Sequence, residues 1–258
     1  MLAEERHSKI KSILSARGFA TVEDLAGTLK VSDMTIRRDL EKCQENGVLQ
    51  RLRGGAVIVG HNQLEASFEN KSSENRGVKR AIARAAANLV EEDMAVFIDA
   101  GTTCYEIAQI ICAIPRVTIV SNDVHTVNSL LHSGAPLICL GGTVQKQTGS
   151  IFDHFAEQLL EQMNFDIAFV GAHTISSPMD QGGRFTVMTP TPEKPFFKRR
   201  ILLHANKSIL VVDQSKFHKK ALYEINDFTS YDGIITDFNF SPDDSRALRN
   251  VGVSIVHI

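Results

Sequence analysis

The 258-residue chain has no tryptophan, three tyrosines and only four cysteines, none of them in a C-x-x-C pair. Cys43, Cys104, Cys112 and Cys139 sit in apolar stretches and read as reduced core residues rather than metal ligands or disulfide partners. His125, His132, His154, His204 and His257 show no metal-ligand spacing, so no metal and no cofactor is expected. No apolar run approaches the length of a membrane span, and the opening MLAEERHSKI is too charged for a signal peptide. A cytoplasmic protein with no membrane partner is expected. Neither an internal repeat nor a low-complexity tract is present, and the net charge of −2 gives nucleic acid little to attract.

What remains is the composition of a soluble globular protein, 43% hydrophobic and 22% charged, with room for a small domain beside one sizeable core. The charge is split along the chain. Residues 1–60 hold ten lysines and arginines against eight acids, +2, and the remainder is −4. So mild a basic excess predicts weak DNA binding by one copy and a need for a homodimer or homotetramer.

The stretch that organises the rest is residues 21–53, TVEDLAGTLKVSDMTIRRDLEKCQENGVLQRLR. Thr21 and Asp24 have capping-box spacing, and Leu25 and Leu29 give the first helix one buried side. Val31 and Ser32 form a turn, with Ser32 capping a second helix. Ile36, Leu40 and Cys43 make the core face of that helix. Arg38 then points away from the core, with Met34, Thr35, Glu41 and Lys42 around it and Arg37 on the flank. Adjacent arginines on the outer face of such a helix suit the major groove, and Ser32 stands at its start. The run VLQRLRGG reads as a wing whose Arg51 and Arg53 reach phosphate. A helical hairpin with a solvated basic face explains the arginine pair alone, but not the ordered set of cap, turn, arginines and ribbon.

This stretch, with RHSKIKSIL before it and GGA after, resembles the N-terminal winged helix of DeoR-type bacterial transcriptional regulators. One position departs: Arg53 stands where the usual wing has histidine before its two glycines.

The chain order expected is a winged helix-turn-helix over 1–57, opening with a helix over 3–16, then a polar linker over 58–75 and an α/β domain over 76–258. In the last, VKRAIARAAANLV is a helix, and AVFID, VTIVSND, LICLGG, IAFVGA, SILVVD, GIITD and VSIV are continuous apolar strands separated by helix-length segments. That alternation predicts a mostly parallel, Rossmann-like sheet covered on both faces. Ligands of such sheets bind at the carboxyl ends of the strands. There the chain carries Asp99, Gly101, Thr102 and Thr103, then Asn122 and Asp123, then Gly141 and Gly142, then Asp213 and Lys216. Each is a capped turn as readily as a ligand site; their shared position favours a site for an anion and its hydroxyls. Glu193 and His173 lie near the expected mouth, Arg184 is a candidate charge for an anion, and Lys198-Arg199-Arg200 reads as a solvated helix face from which Lys198 can turn inward.

The strand ends are also where the DeoR-type sensor domain carries its D-x-G-T-T, S/T-N, Gly-Gly and D-x-S-K-F motifs. The resemblance therefore runs from about residue 3 to about 240. It implies a fold similar to ribose-5-phosphate isomerase, an operator in double-stranded DNA and a phosphorylated sugar as effector; Glu193 and Lys198, from their places near the mouth, are expected among the effector contacts. The stretch 173–195 is longer and richer in proline than in many relatives, which bears on the identity of the sugar. Two readings stand at this point. One is a DNA-binding repressor of a sugar-metabolism operon, without catalytic residues. The other is a sugar-phosphate isomerase or deaminase with an appended nucleic-acid module, with Asp99, Asp123, Asp213, Glu193 and Lys216 as possible acids and bases.

Overall fold

Side-chain caps set the helix starts in the N-terminal unit. In the computed structural model, which describes residues 3–17, 19–46, 48–52, 54–58, 66–178 and 183–258, the chain forms two compact units, Met1–Asn70 and Lys71–Ile258. The first opens with α1 (Ala3–Arg17) and β1 (Phe19–Thr21). Thr21 Oγ1 accepts the Asp24 N–H at 3.0 Å and its own N–H donates to Asp24, completing the capping box of α2 (Val22–Leu29). Lys30 closes α2 in the left-handed conformation at φ 55°, so the turn to α3 (Asp33–Glu45) begins one residue earlier than Val31 and Ser32. Ser32 accepts the Thr35 N–H at 3.2 Å and caps α3.

Ile36, Leu40 and Cys43 are buried, as their spacing requires, and Ile10, Leu14, Leu25 and Leu49 complete the small core. The antiparallel hairpin of β2 (Leu49–Leu52) and β3 (Gly55–Ile58) is the wing, with β1 on the far side of β3. Gly54 sits at φ 87°, the sign of φ that two-residue hairpin turns demand.

Part of the polar stretch expected as linker is helical: α4 (Phe68–Ser73) runs over the division after Asn70 and precedes α5 (Arg76–Ala87) of the second unit, and Phe68 is half-buried. Leu64 lies outside the described residues. There follow β4 (Ala95–Ile98), α6 (Thr102–Ile111), β5 (Thr118–Ser121), α7 (Val124–Leu130), β6 (Leu137–Cys139), the short hairpin β7 (Val144–Gln145) and β8 (Ser150–Ile151), α8 (His154–Leu160) and β9 (Ile167–Val170). After β10 (Thr174–Ile175) and β11 (Thr186–Thr189) come α9 (Lys194–Leu203), β12 (Ser208–Val211), β13 (Tyr223–Asp227), β14 (Gly233–Thr236), α10 (Pro242–Asn250) and β15 (Ser254–His257). All seven expected strands join one parallel sheet, ordered β15-β14-β12-β9-β4-β5-β6. Along β9, Ile167 and Phe169 pack into one core and Ala168 and Val170 into the other, so both faces are covered.

The order grows outward from β4 in one direction and from β9 in the other, which puts the topological switch point between β4 and β9. A second sheet, β10-β11-β13, is antiparallel and packs on a phenylalanine cluster, in which Phe217 stacks on Phe238 with centroids 3.8 Å apart. Tyr231, 2% exposed, belongs to the same core. Among the described residues no helix is long and apolar enough to cross a membrane. The cysteines correct the sequence expectation in part. Cys43 and Cys104 are buried, but Cys112 is half-buried and Cys139 exposed, because β6 is an edge strand.

Candidate functional site

On α3 the outer face is open. Met34 is 72% exposed, and Arg37, Arg38, Glu41 and Lys42 are exposed, while Ser32 and Thr35 share a hydrogen bond at the helix start. Arg51 is held toward this helix: its N–H donates to Gln44 Oε1 at 2.8 Å and its guanidinium lies 3.5 Å from Glu41. Arg53 lies outside the described residues. One feature of α3 escaped the sequence reading. Asp39 is 3% exposed and accepts from Arg6 Nε at 2.6 Å and from His7 Nε2 at 3.0 Å, fastening α3 to α1. Burial pushes its carboxyl up, and the Arg6 and His7 hydrogen bonds outweigh this, leaving its pKa below the usual value.

In the second unit three strand ends, those after β4, β5 and β9, are tied together at the switch point. Asp99 follows β4 and is 1% exposed. Its Oδ2 accepts from Lys198 Nζ at 2.5 Å and from the Gly171 N–H, past the end of β9, at 3.0 Å. Lys198 also donates to the Gly171 carbonyl at 2.6 Å. Lys198 thus takes the inward course open to it and is buried, and the solvated face expected for 198–200 is corrected to an exposed Arg199 and a half-buried Arg200. Arg199 bonds the Ile225 and Glu224 carbonyls, and Arg200 pairs with Glu161. The physical reason is the spacing of Lys194, Phe197, Lys198 and Ile201, which puts both lysines on the buried stripe of α9.

Gly101, before α6, adopts φ 150° and ψ 156°, a region open in practice only to glycine. No atom lies within 4 Å of where its Cβ would stand, so conformation and not crowding requires glycine there. No side chain caps α6 at Gly101, and Thr102 and Thr103 are each 8% exposed. Neighbouring loops are tied in: Asn122 Oδ1 accepts the Ala100 N–H at 2.9 Å, and its Nδ2 donates to the Ile151 carbonyl at 3.0 Å. Asp123 is fully buried, caps α7, and accepts from Thr126 Oγ1 at 2.8 Å. Burial raises its pKa against the pull of those hydrogen bonds. Gly142 packs so closely on Asp153 that a Cβ would stand 2.2 Å from its Oδ1, whereas Gly141 faces open space.

Asp213 and Lys216 lie after β12, two strand spacings from β4, roughly 10 Å. Asp213 is 1% exposed and accepts from Asn75 Nδ2 at 3.2 Å. Glu193 is exposed and lines a different feature, an open groove of about 560 Å³ between α8 and α9 with Phe152, Asp153, Phe196, Arg199 and Arg200. Arg184 pairs with Asp227 at 3.0 Å, and His173 is half-buried. Sequence reading missed Gly171, Asn75 and Lys79. For Lys79 a signal existed: Lys79, Ile82, Ala83 and Ala86 fall at i, i+3, i+4 and i+7 on the buried face of α5.

Comparison with known proteins agrees with this two-part layout. Residues 6–61 match the family model described as the DeoR-like helix-turn-helix domain, and residues 74–238 match the DeoR C terminal sensor domain. A protein of Escherichia coli O157:H7, provisionally named as an aga operon transcriptional repressor, is 33% identical over 98% of this chain and 93% of its own length. The HTH-type transcriptional regulator GlpR of Haloferax volcanii is 30% identical over 99% of this chain and 98% of its own. Among solved structures, ribose 5-phosphate isomerase A from Methanocaldococcus jannaschii is similar at a TM-score of 0.40 and 17% identity, covering 56% of this chain and 55% of that one. With both of the family's domains matched in order and relatives of 33% and 30% identity aligned over nearly the whole chain, the chain belongs to the DeoR family of transcriptional regulators.

Proposed function

We propose that the protein is a sequence-specific repressor of a sugar-metabolism operon that a phosphorylated sugar releases from, or retunes on, its operator. The observation that carries the sensing half is the buried Asp99–Lys198 pair, clasped to Gly171 at the switch point of the sheet. An open parallel sheet offers its ligand crevice there, and a carboxylate beside an ammonium grips hydroxyls and anions alike. The phosphate sits on Gly101, Thr102 and Thr103 at the start of α6, where free N–H groups and the helix dipole favour an anion. Asp99 and Lys198 take the sugar, and Asn122, Asp123, Gly141 and Gly142 shape the loops. Asp213 and Lys216 complete the effector set at its edge, whereas Glu193, on the groove between α8 and α9, stands apart from it. Relatives matched over nearly their whole length are named as regulators, which favours the sensor over an isomerase or deaminase.

The DNA-reading half rests on the open face of α3. Arg37 and Arg38 read the major groove, with Ser32, Met34, Thr35 and Lys42 beside them and Arg51 and Arg53 on phosphate. Two or four copies, joined mainly through residues after 76 in the cytoplasm, supply the affinity that one mildly basic unit lacks. Truncating whichever arginine is bidentate to guanine is expected to cost about 1–3 kcal/mol of operator binding and to relax one base.

A thermal-shift screen against phosphorylated and free sugars identifies the effector, since a ligand of the folded state raises Tm. Thr102→Ala/Thr103→Ala is then expected to bind operator normally and to need about tenfold more effector for release. Release at the wild-type concentration would move the pocket elsewhere, and turnover of the sugar phosphate would restore the enzyme reading.

A further inference from the structure

We propose that the corner between α4 and α5 is a latch through which the turn after β12 controls the helix leading back to the DNA-binding unit, an inference that rests on the effector reading above.

The last carbonyls of a helix have no partner inside it and carry the negative end of its dipole. Lys71 lies near the end of α4, and its carbonyl is met by the ammonium of Lys79, reaching back from α5. Lys79 is only 3% exposed. Burial lowers its pKa, Asp213 acts to hold the proton on, and Lys216 acts against it. The charged groups facing this ammonium are therefore those of the proposed effector turn, together with Glu74 and Lys71 on the corner itself.

A second tie runs in parallel. Asn75, between the two helices, donates from Nδ2 to Asp213 Oδ1 at 3.2 Å. Its own backbone is left-handed, at φ 50°. That conformation is unfavourable for a residue with a side chain, even for asparagine, which tolerates it best, and persists only while neighbours hold it. The corner is thus a sprung joint held by one carboxylate and one buried ammonium.

Occupation of the turn weakens both ties in one direction. A sugar hydroxyl donating to Asp213 competes with the Asn75 amide. An anion drawn by Lys216 competes with the Lys71 carbonyl for the Lys79 protons. The corner then relaxes, and Lys71–Ser73 lose their tie to α5.

Hydrogen exchange on the full chain tests this. Lys79→Met and, separately, Asn75→Ala are expected to speed exchange of amides 71–76 by about tenfold while β4 and β9 stay as protected as in the wild type. Unchanged exchange at 71–76 in both variants overturns the latch, with no ligand needed. In the wild type, saturating ribose 5-phosphate or glucose 6-phosphate, whichever raises Tm, is expected to speed exchange at the same amides. In Asn75→Ala the Tm shift is expected to persist with no further gain in exchange. Slower exchange with ligand, or loss of the Tm shift in both variants, would make these residues plain ligands and also overturn the latch. If neither sugar phosphate shifts the wild-type Tm, the effector reading is weakened, and the latch is decided by the ligand-free arm.

Discussion

The two units both bury an aspartate paired with a basic side chain, and they use it differently. In the winged helix, Asp39 spends its oxygens on Arg6 and His7 of the neighbouring helix, and the pair closes a seam between two helices. In the sensor, Asp99 and Lys198 are still drier, with side chains 1% and 9% exposed. Yet they stand at the open end of a parallel sheet, against glycine backbone at Gly171 and beside Gly101. Burial of charge alone does not mark a site. On the reading proposed above, place in the topology separates a fastening from a binding site, since open parallel sheets offer their ligand crevice at the switch point.

The strongest test of that contrast is Asp99→Ala. It strands a buried ammonium and is expected to cost the sensor about 3–5 kcal/mol in urea unfolding, with the winged helix unaffected. The double change Asp99→Leu/Lys198→Met is expected to recover much of that stability and none of the effector response. Recovery of both would show the pair to be a fastening after all.

Asp39→Asn is expected to cost the winged helix about 2 kcal/mol. The pH dependence follows from the lowered pKa of Asp39. Its contribution is fully present above the unfolded carboxylate value and disappears as pH falls through the lower folded one. The wild-type unit should therefore lose stability on acidification more steeply than Asp39→Asn, and parallel acid titrations would break the assignment.

The smallest effect expected is that of the capping box: Thr21→Ala should lower the winged helix by about 1 kcal/mol and leave the sensor untouched. A shift of the sensor transition would contradict the separateness of the cores of the two units.

The sequence made the parallel sheet legible because its strands are continuous apolar runs, a pattern that only double-sided burial sustains. The caps at Thr21 and Ser32 were legible for a similar reason, since one side chain does the work locally. The antiparallel sheet was not. Within Tyr223–Asp227 only Ile225 is buried, and Thr174–Ile175 is too short to show any period. Helix α4, FENKSS, has no apolar stripe and buries no residue completely, so it looked like linker. At the candidate site the strand-end motifs pointed to the right loops, but partnerships such as Asp99 with Lys198, 99 positions apart, depend on tertiary packing. One local signal was present throughout. Asp39, Lys79 and Lys198 each stand in an i, i+3, i+4, i+7 stripe with apolar neighbours, and a charge in such a stripe has to find a partner.

The burial of Tyr231 has an optical consequence. The chain has no tryptophan, and its three tyrosines, Tyr105, Tyr223 and Tyr231, all fall within Lys71–Ile258. Tyrosine emission and near-ultraviolet dichroism from tyrosine are therefore blind to the winged helix, while the far-ultraviolet signal follows both units. Because Tyr231 is 2% exposed, its environment changes only when the sensor core opens. Two probes that part company during urea unfolding thus measure the units separately in one untagged, unlabelled chain, and probes that coincide reveal a single cooperative transition.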